Sequence, residues 1–114
     1  MELRMGGKRI NTIHLQSYEL GTDKILAATI KNGPGAVSEA RIWTGAAYQG
    51  AVGIRLAGGG SWTHPGGSSA EGFPLGDLSA NQEKAIEIKV NLVDPPGRPG
   101  ENLIPLRVGH GEEI

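Results

Sequence analysis

Three histidines are the imidazole ligands that this 114-residue chain could offer to a metal ion. His14, His64 and His110 are far apart in the sequence. They do not form the His-x-x-x-His or His-Glu-x-x-His spacing that places two imidazoles on one helical face around zinc. The chain has no cysteine, so it offers neither a thiolate ligand nor a disulfide. We therefore expect no metal site and no cofactor, with His14 on a strand surface and the other two in a loop and a tail.

The sequence gives equally little support for a catalytic nucleophile or an acid–base pair. Ser61 and Ser68 lie in glycine runs without a Gly-x-Ser-x-Gly elbow, and such runs would not hold a nucleophile rigidly against a base. The same stretch lacks the Gly-x-x-x-x-Gly-Lys-Ser/Thr pattern of a phosphate-binding loop. Glu83 and Glu87 fall on the polar side of an alternating segment, where pairing with neighbouring lysines in water explains them. The sequence therefore predicts a protein that is not an enzyme.

Charge and hydropathy exclude two classes of partner. Eleven Lys and Arg residues against twelve Asp and Glu residues give a net charge of −1, and no basic run could neutralise several phosphates. The first fifteen residues contain no apolar stretch of signal-peptide length, and no later segment is long and apolar enough to cross a bilayer. We expect synthesis in the cytoplasm without a signal peptide, and neither nucleic acid nor membrane as a partner.

The clearest secondary-structure pattern covers residues 75–93. Its second half alternates apolar and polar side chains, which is typical of a strand with one buried face. The buried face is predicted to consist of Ile86, Ile88, Val90 and Leu92. Because a shorter apolar segment and a tight turn precede this strand, we interpret the whole region as a hairpin.

Five other segments are predicted to be strands, and two stretches to be turns or loops. The strands are residues 10–20, 24–31, 37–44, 51–57 and 103–108. Residues 24–31 are apolar on both sides, which favours a central strand, whereas Pro105 favours an edge position for the last one. Asn32 to Gly35 forms a turn, and residues 58–72 form a long glycine-rich loop.

The order of these segments resembles a known family. ILAATIKNGPGAVSEARIWT, LGDLSANQEKAIEIKVNLV and PPGRPGENLIPLRV together resemble the CARDB-type and related immunoglobulin-like β-sandwich modules over residues 24–108. The resemblance implies an all-β immunoglobulin-like antiparallel sandwich of about seven strands. We expect a single domain over residues 1–114 with a flexible N-terminus, the loop 58–72 and a C-terminal tail 109–114. Small free-standing sandwiches of this kind resemble bacteriophage tail, neck and capsid-decoration proteins.

Aromatic side chains are the candidates for contact with a partner. Trp43 is out of phase with Ile42, which favours an outward position, although burial as the main bulk of the core is an alternative. Residues 58–72 are expected to be mobile until another chain buries Trp62. The interface candidates are Trp43, Tyr48, Trp62 and His64.

Two functions fit these observations. The first is a structural subunit of a larger assembly, such as a virion or a homo-oligomer, that contacts other protein subunits. The alternative is a carbohydrate-binding or adhesive module that stacks glycan rings on Trp43, Tyr48 or Trp62.

Overall fold

Two antiparallel β-sheets form the fold. The computed structural model describes residues 1–16, 23–44, 51–66, 72–91 and 101–109. Within these ranges there are nine strands and no helix, so the predicted all-β sandwich is confirmed. The strands are β1 Glu2–Met5, β2 Lys8–Ile10, β3 Thr12–Gln16, β4 Lys24–Lys31, β5 Val37–Thr44, β6 Val52–Leu56, β7 Phe73–Leu78, β8 Glu83–Val90 and β9 Glu101–Gly109.

The nine strands form one five-stranded and one four-stranded sheet. The first has the order β2-β1-β4-β8-β6 and the second the order β3-β9-β5-β7. The inward side chains of both sheets form one core of Ile, Leu, Val and Ala with Phe73. Among the residues with assigned structure, no helix has the length and hydropathy needed to cross a bilayer.

The alternating patterns predicted the central strands correctly. β4 and β5 have the predicted bounds, and β4 lies inside its sheet between β1 and β8. In β8, Ile86, Ile88 and Val90 are each at most 1% exposed, as the period-2 pattern requires. Leu92 lies outside the described residues. In β6, Val52 and Ile54 are buried, whereas Leu56, which continues the same phase at the end of the strand, is 43% exposed.

The predicted hairpin over residues 75–93 is wrong. β7 pairs with β5 in the four-stranded sheet, whereas β8 pairs with β4 and β6 in the five-stranded sheet. The connection is therefore an arch that carries the chain across the core. The turn geometry was read correctly: Gln82 donates its amide to the Ser79 carbonyl, and Asn81 adopts a positive φ of 59°. Alternating strands are compatible with either connection, because in both cases one face is buried.

A second arch connects β4 to β5, and Asn32 links the two arches. Its side-chain amide donates to the carbonyl oxygens of Gly35 at 2.9 Å and Ser79 at 2.8 Å. Its backbone amide donates to Gln82 at 2.8 Å, and the Asn81 amide donates to Gly33 at 2.7 Å. Asn32 is 2% exposed. These bonds satisfy the polar groups of the buried Asn32 and join the two arches to each other.

The predicted edge position of Pro105 is also wrong, since β9 lies between β3 and β5. Residues 101–105 of β9 pair with β3, and residues 106–109 pair with β5. Pro105 is the point at which β9 changes partner, so its missing N–H interrupts no described ladder hydrogen bond. Its carbonyl oxygen accepts a hydrogen bond from the Thr44 hydroxyl at 2.7 Å.

Both chain ends contribute more structure than their sequences indicate. β1 and β2 form a hairpin around Gly6 and Gly7, where a flexible N-terminus was expected, and Leu3 is 2% exposed. The predicted strand 10–20 is divided, because Ile10 ends β2 and Thr12 begins β3 in the other sheet. Gly109, which the sequence placed in the C-terminal tail, ends β9 and pairs with Arg41 of β5. Residues 110–114 lie outside the described part of the chain.

Candidate interaction faces

The two tryptophans lie on opposite outer faces of the sandwich. Trp62 contacts outward positions of the five-stranded sheet, since Gly53 and Arg55 alternate with the buried Val52 and Ile54. Trp43 is an outward residue of the four-stranded sheet, between two residues of β5 that are at most 1% exposed. Trp43 and Trp62 therefore do not form a common stacking platform. Tyr48, the third aromatic candidate, lies outside the described residues.

Trp62 packs on its own chain. A Cβ placed on Gly53 would lie 3.4 Å from the Trp62 Cβ, so the glycine allows close approach of the ring. The Arg55 guanidinium lies 4.0 Å from the ring centroid and also pairs with Glu87 through an Nε to Oε1 contact of 2.9 Å. Lys89 Nζ lies 5.7 Å from the same centroid. The ring is thus held by two cation–π contacts and a close glycine.

Residues 60–64, here called the strap, cover the free edge of β6. Thr63 and Ile54 exchange both backbone hydrogen bonds, at 2.8 and 3.0 Å. The His64 Nδ1–H donates to the Val52 carbonyl oxygen at 2.7 Å, and Arg55 donates to Gly60. Because an open strand edge invites pairing with another chain, the strap protects this edge.

The strap corrects the expectation that residues 58–72 lack regular structure, since Thr63 forms a β-bridge with Ile54. The sequence favoured burial of Trp62 by a neighbouring chain; in the structure its ring packs on the outer face of the chain's own sheet. Gly58, Gly59 and Gly60, which lead into the strap, have φ values of 105°, 117° and 105°. Residues with a side chain rarely adopt φ values in this range, which explains why glycine occupies these three positions. Residues 67–71 lie outside the described part of the loop.

Trp43 faces outward, as its phase relative to Ile42 predicted, and it is not part of the core cluster. Its ring covers Gly109 on the neighbouring strand β9. A Cβ on Gly109 would meet the Trp43 Cη2 atom at 3.1 Å. The same arrangement therefore occurs on both outer faces: each tryptophan covers a glycine of an adjacent strand, a device that shields the exposed backbone of a strand glycine.

The surroundings of Trp43 form a surface rich in apolar and cationic groups, here called the tryptophan face. The surface is formed by residues 41–44 of β5 and residues 103–109 of β9. Its outward side chains are Arg41, Trp43, Leu103, Pro105 and Arg107. Leu103 is 44% exposed, and none of these five residues is acidic. Arg107 is the cross-strand partner of Trp43.

We expect Gly109→Val to displace Trp43, because two β-carbon branches cannot share the space now filled by the indole. The free energy of unfolding should fall by about 1 kcal/mol or more through overpacking. In a Trp62→Phe background Trp43 is the only tryptophan, and its fluorescence should shift to the red as the ring becomes hydrated. Gly35→Val is the matched control, since a Cβ there has no atom within 4 Å. An unchanged emission maximum for Gly109→Val would contradict this packing.

The sequence missed the residues that position these rings. Gly53 and Gly109 interrupt apolar strands, and a strand glycine is a signal for close approach of another group. The pairing of Arg55 with Glu87 carried no sequence signal, because it depends on the β6–β8 register. In the described ranges, no group of three or more His, Asp or Glu residues is placed to hold a metal ion.

Comparison of the sequence with protein-family models and with curated proteins, and of the fold with solved structures, finds no match.

Proposed function

We propose that this chain is a non-catalytic structural subunit that assembles with other copies of itself through the tryptophan face. The observation that carries the proposal is the outward position of Trp43 opposite Arg107, on the same sheet face as the exposed Leu103 further along β9. Tryptophan and arginine are enriched among the residues that dominate the energy of protein interfaces. A sheet face with these side chains offers a preformed contact surface.

The strap supports the same proposal in a different way. Because β6 is covered, assembly by uncontrolled edge pairing at that position is suppressed. Contacts are then directed to side chains on the outer faces, where residue identity decides which partner fits. A subunit that must occupy a defined place in an assembly needs this kind of selectivity.

The assembly we propose is a virion, following the resemblance to phage tail, neck and capsid-decoration proteins. The expected genomic observation is a neighbouring gene for a capsid, portal or tail protein. Flanking genes for polysaccharide-degrading enzymes would instead favour a glycan-binding role. In that case Trp43 and Trp62 would not share one sugar platform, since they lie on opposite faces.

The test is the solution mass, measured by light scattering and sedimentation. We expect the wild-type chain to exceed its monomer mass of 11.9 kDa, and Leu103→Asp to return it to a monomer. Ile25→Asp is the matched control, because Ile25 is an apolar residue on the other sheet that is 55% exposed. The control should keep the wild-type mass.

Two outcomes would overturn the proposal. One is a wild-type monomer at high concentration that binds glycans on an array and loses that binding on Trp43→Ala. The other is an oligomer whose mass responds to Ile25→Asp and not to Leu103→Asp. Circular dichroism of each variant checks that the strand content is unchanged.

A further inference from the structure

An apolar pocket of about 290 Å³ opens between the edge strands β2 and β3. Met5 of β1, Ile10 of β2 and Leu26 of β4 form one wall, and Ile13 of β3 forms the other. The first three side chains are only partly buried although they pack against the core. The core is therefore accessible at this opening, where a ligand could bury the apolar surface that remains exposed.

The rim of the pocket is cationic. Lys8 of β2, Lys24 of β4 and His14 of β3 line it together with Thr12, and none of the lining residues is acidic. Lys8 points to this side of the sheet, because it pairs with Met5 and is in phase with Ile10. Arg9, the next residue, points to the opposite side and lies 3.8 Å from Glu2.

We propose that this pocket binds a small amphipathic anion, with an apolar chain against Met5, Ile10 and Leu26 and a carboxylate beside Lys8. An apolar floor with a few polar groups at the mouth is the usual chemistry of a small-molecule site. The volume is at the lower end of the range of about 300–1,000 Å³ for such sites, which favours a single short chain over a bulky ligand. The Lys8 ammonium supplies a charge-assisted hydrogen bond to the head group.

The pocket adjoins the tryptophan face, because Thr12 and His14 on its rim are the cross-strand partners of Pro105 and Leu103. Its apolar walls and Lys8 belong to β1, β2, β3 and β4. The two proposals rest on different side chains, so Lys8→Glu tests the ligand and Leu103→Asp tests the assembly.

Calorimetric titration with decanoate below its micelle concentration is the test. We expect wild-type protein to bind decanoate and not decyltrimethylammonium, since the rim is cationic. Lys8→Glu should weaken decanoate binding about tenfold or more, the loss expected for a hydrogen bond to a charged group. Arg9→Glu is the matched control, because it makes the same change in net charge one residue away on the opposite side of β2.

A second variant examines the apolar part of the site. Met5→Trp should fill the pocket and abolish binding while the melting temperature stays near that of the wild type. If Met5→Trp proves unstable, the Lys8→Glu and Arg9→Glu comparison decides alone. No decanoate binding by the wild type, equal binding of the cationic amphiphile, or equal losses in Lys8→Glu and Arg9→Glu would overturn the proposal.

Discussion

Ile88→Asp is expected to unfold the domain at room temperature. Ile88 is 0% exposed in β8, and this strand pairs with β4 on one side and with β6 on the other. A carboxylate there would have no water and no cation to compensate its charge. The cost should exceed about 5 kcal/mol, which is comparable to the whole stability of a small domain, about 5–15 kcal/mol.

Thermal and urea unfolding measure this effect. Ala85→Asp is the matched control, since the same side chain is introduced on the same strand at an exposed, outward position. It should cost less than about 1 kcal/mol. Glu87→Ala should also cost little, about 1 kcal/mol at most, through loss of its half-buried pair with Arg55. Similar melting temperatures for Ile88→Asp and Ala85→Asp would show that the register of β8 is wrong.

Asn32→Ala is expected to lower the free energy of unfolding by about 2 kcal/mol. The substitution removes the donor that bonds to the Gly35 and Ser79 carbonyl oxygens, and those acceptors lie where two arches pack together. Loss of a partner in a buried position costs about 1–3 kcal/mol. For a domain of this size the melting temperature should fall by about 10 °C.

Asn32→Asp separates the side-chain role from the backbone role. Aspartate has nearly the same shape but presents oxygen atoms to the carbonyl groups, so its effect should be at least as large as that of alanine. The bond from the residue 32 amide to Gln82 remains in both variants. If Asn32→Asp were as stable as the wild type, the side-chain hydrogen bonds would not be what holds the arches together.

The strands were predictable where alternation was long and regular. β8 buries every second residue from Ile86 to Val90, and β5 does so from Ala40 to Thr44, because a one-residue shift would move the whole apolar face into water. β4 lies inside its sheet as predicted, although its outer face is not covered, since Ile25 is 55% exposed. Local side-chain pattern decides these features, so the sequence contains them directly.

The pairing of strands was not predictable in the same way. β7 and β8 have the same alternation in a hairpin and in an arch, and only the partners β5 and β4 distinguish the two. Pro105 indicated an edge because the rule for proline assumes a single continuous ladder, whereas β9 changes partner at that residue. The β1–β2 hairpin was missed because its strands are short and carry charged residues at outward positions.

The candidate surfaces also include one feature that the sequence predicted and others that it did not. The outward position of Trp43 followed from its phase, which is a local property. The packing of Trp62 on Gly53 and Arg55 depends on the strap returning to β6, a contact that no sequence period specifies. The pocket between β2 and β3 combines side chains from four strands, so only the assembled sheets reveal it.

The position of β4 has a consequence for the chain during synthesis. β4 pairs with β8, so Lys31 meets Glu83 and Lys24 meets Val90. A ribosome that adds about 5–20 residues per second needs several seconds to make the intervening chain. During that time one edge of β4 has no partner, and its apolar side chains lack the opposite half of the core. Until β8 emerges, β4 therefore presents an unpaired strand edge and uncovered apolar side chains, and we expect this sheet to form only after β8 has been synthesised.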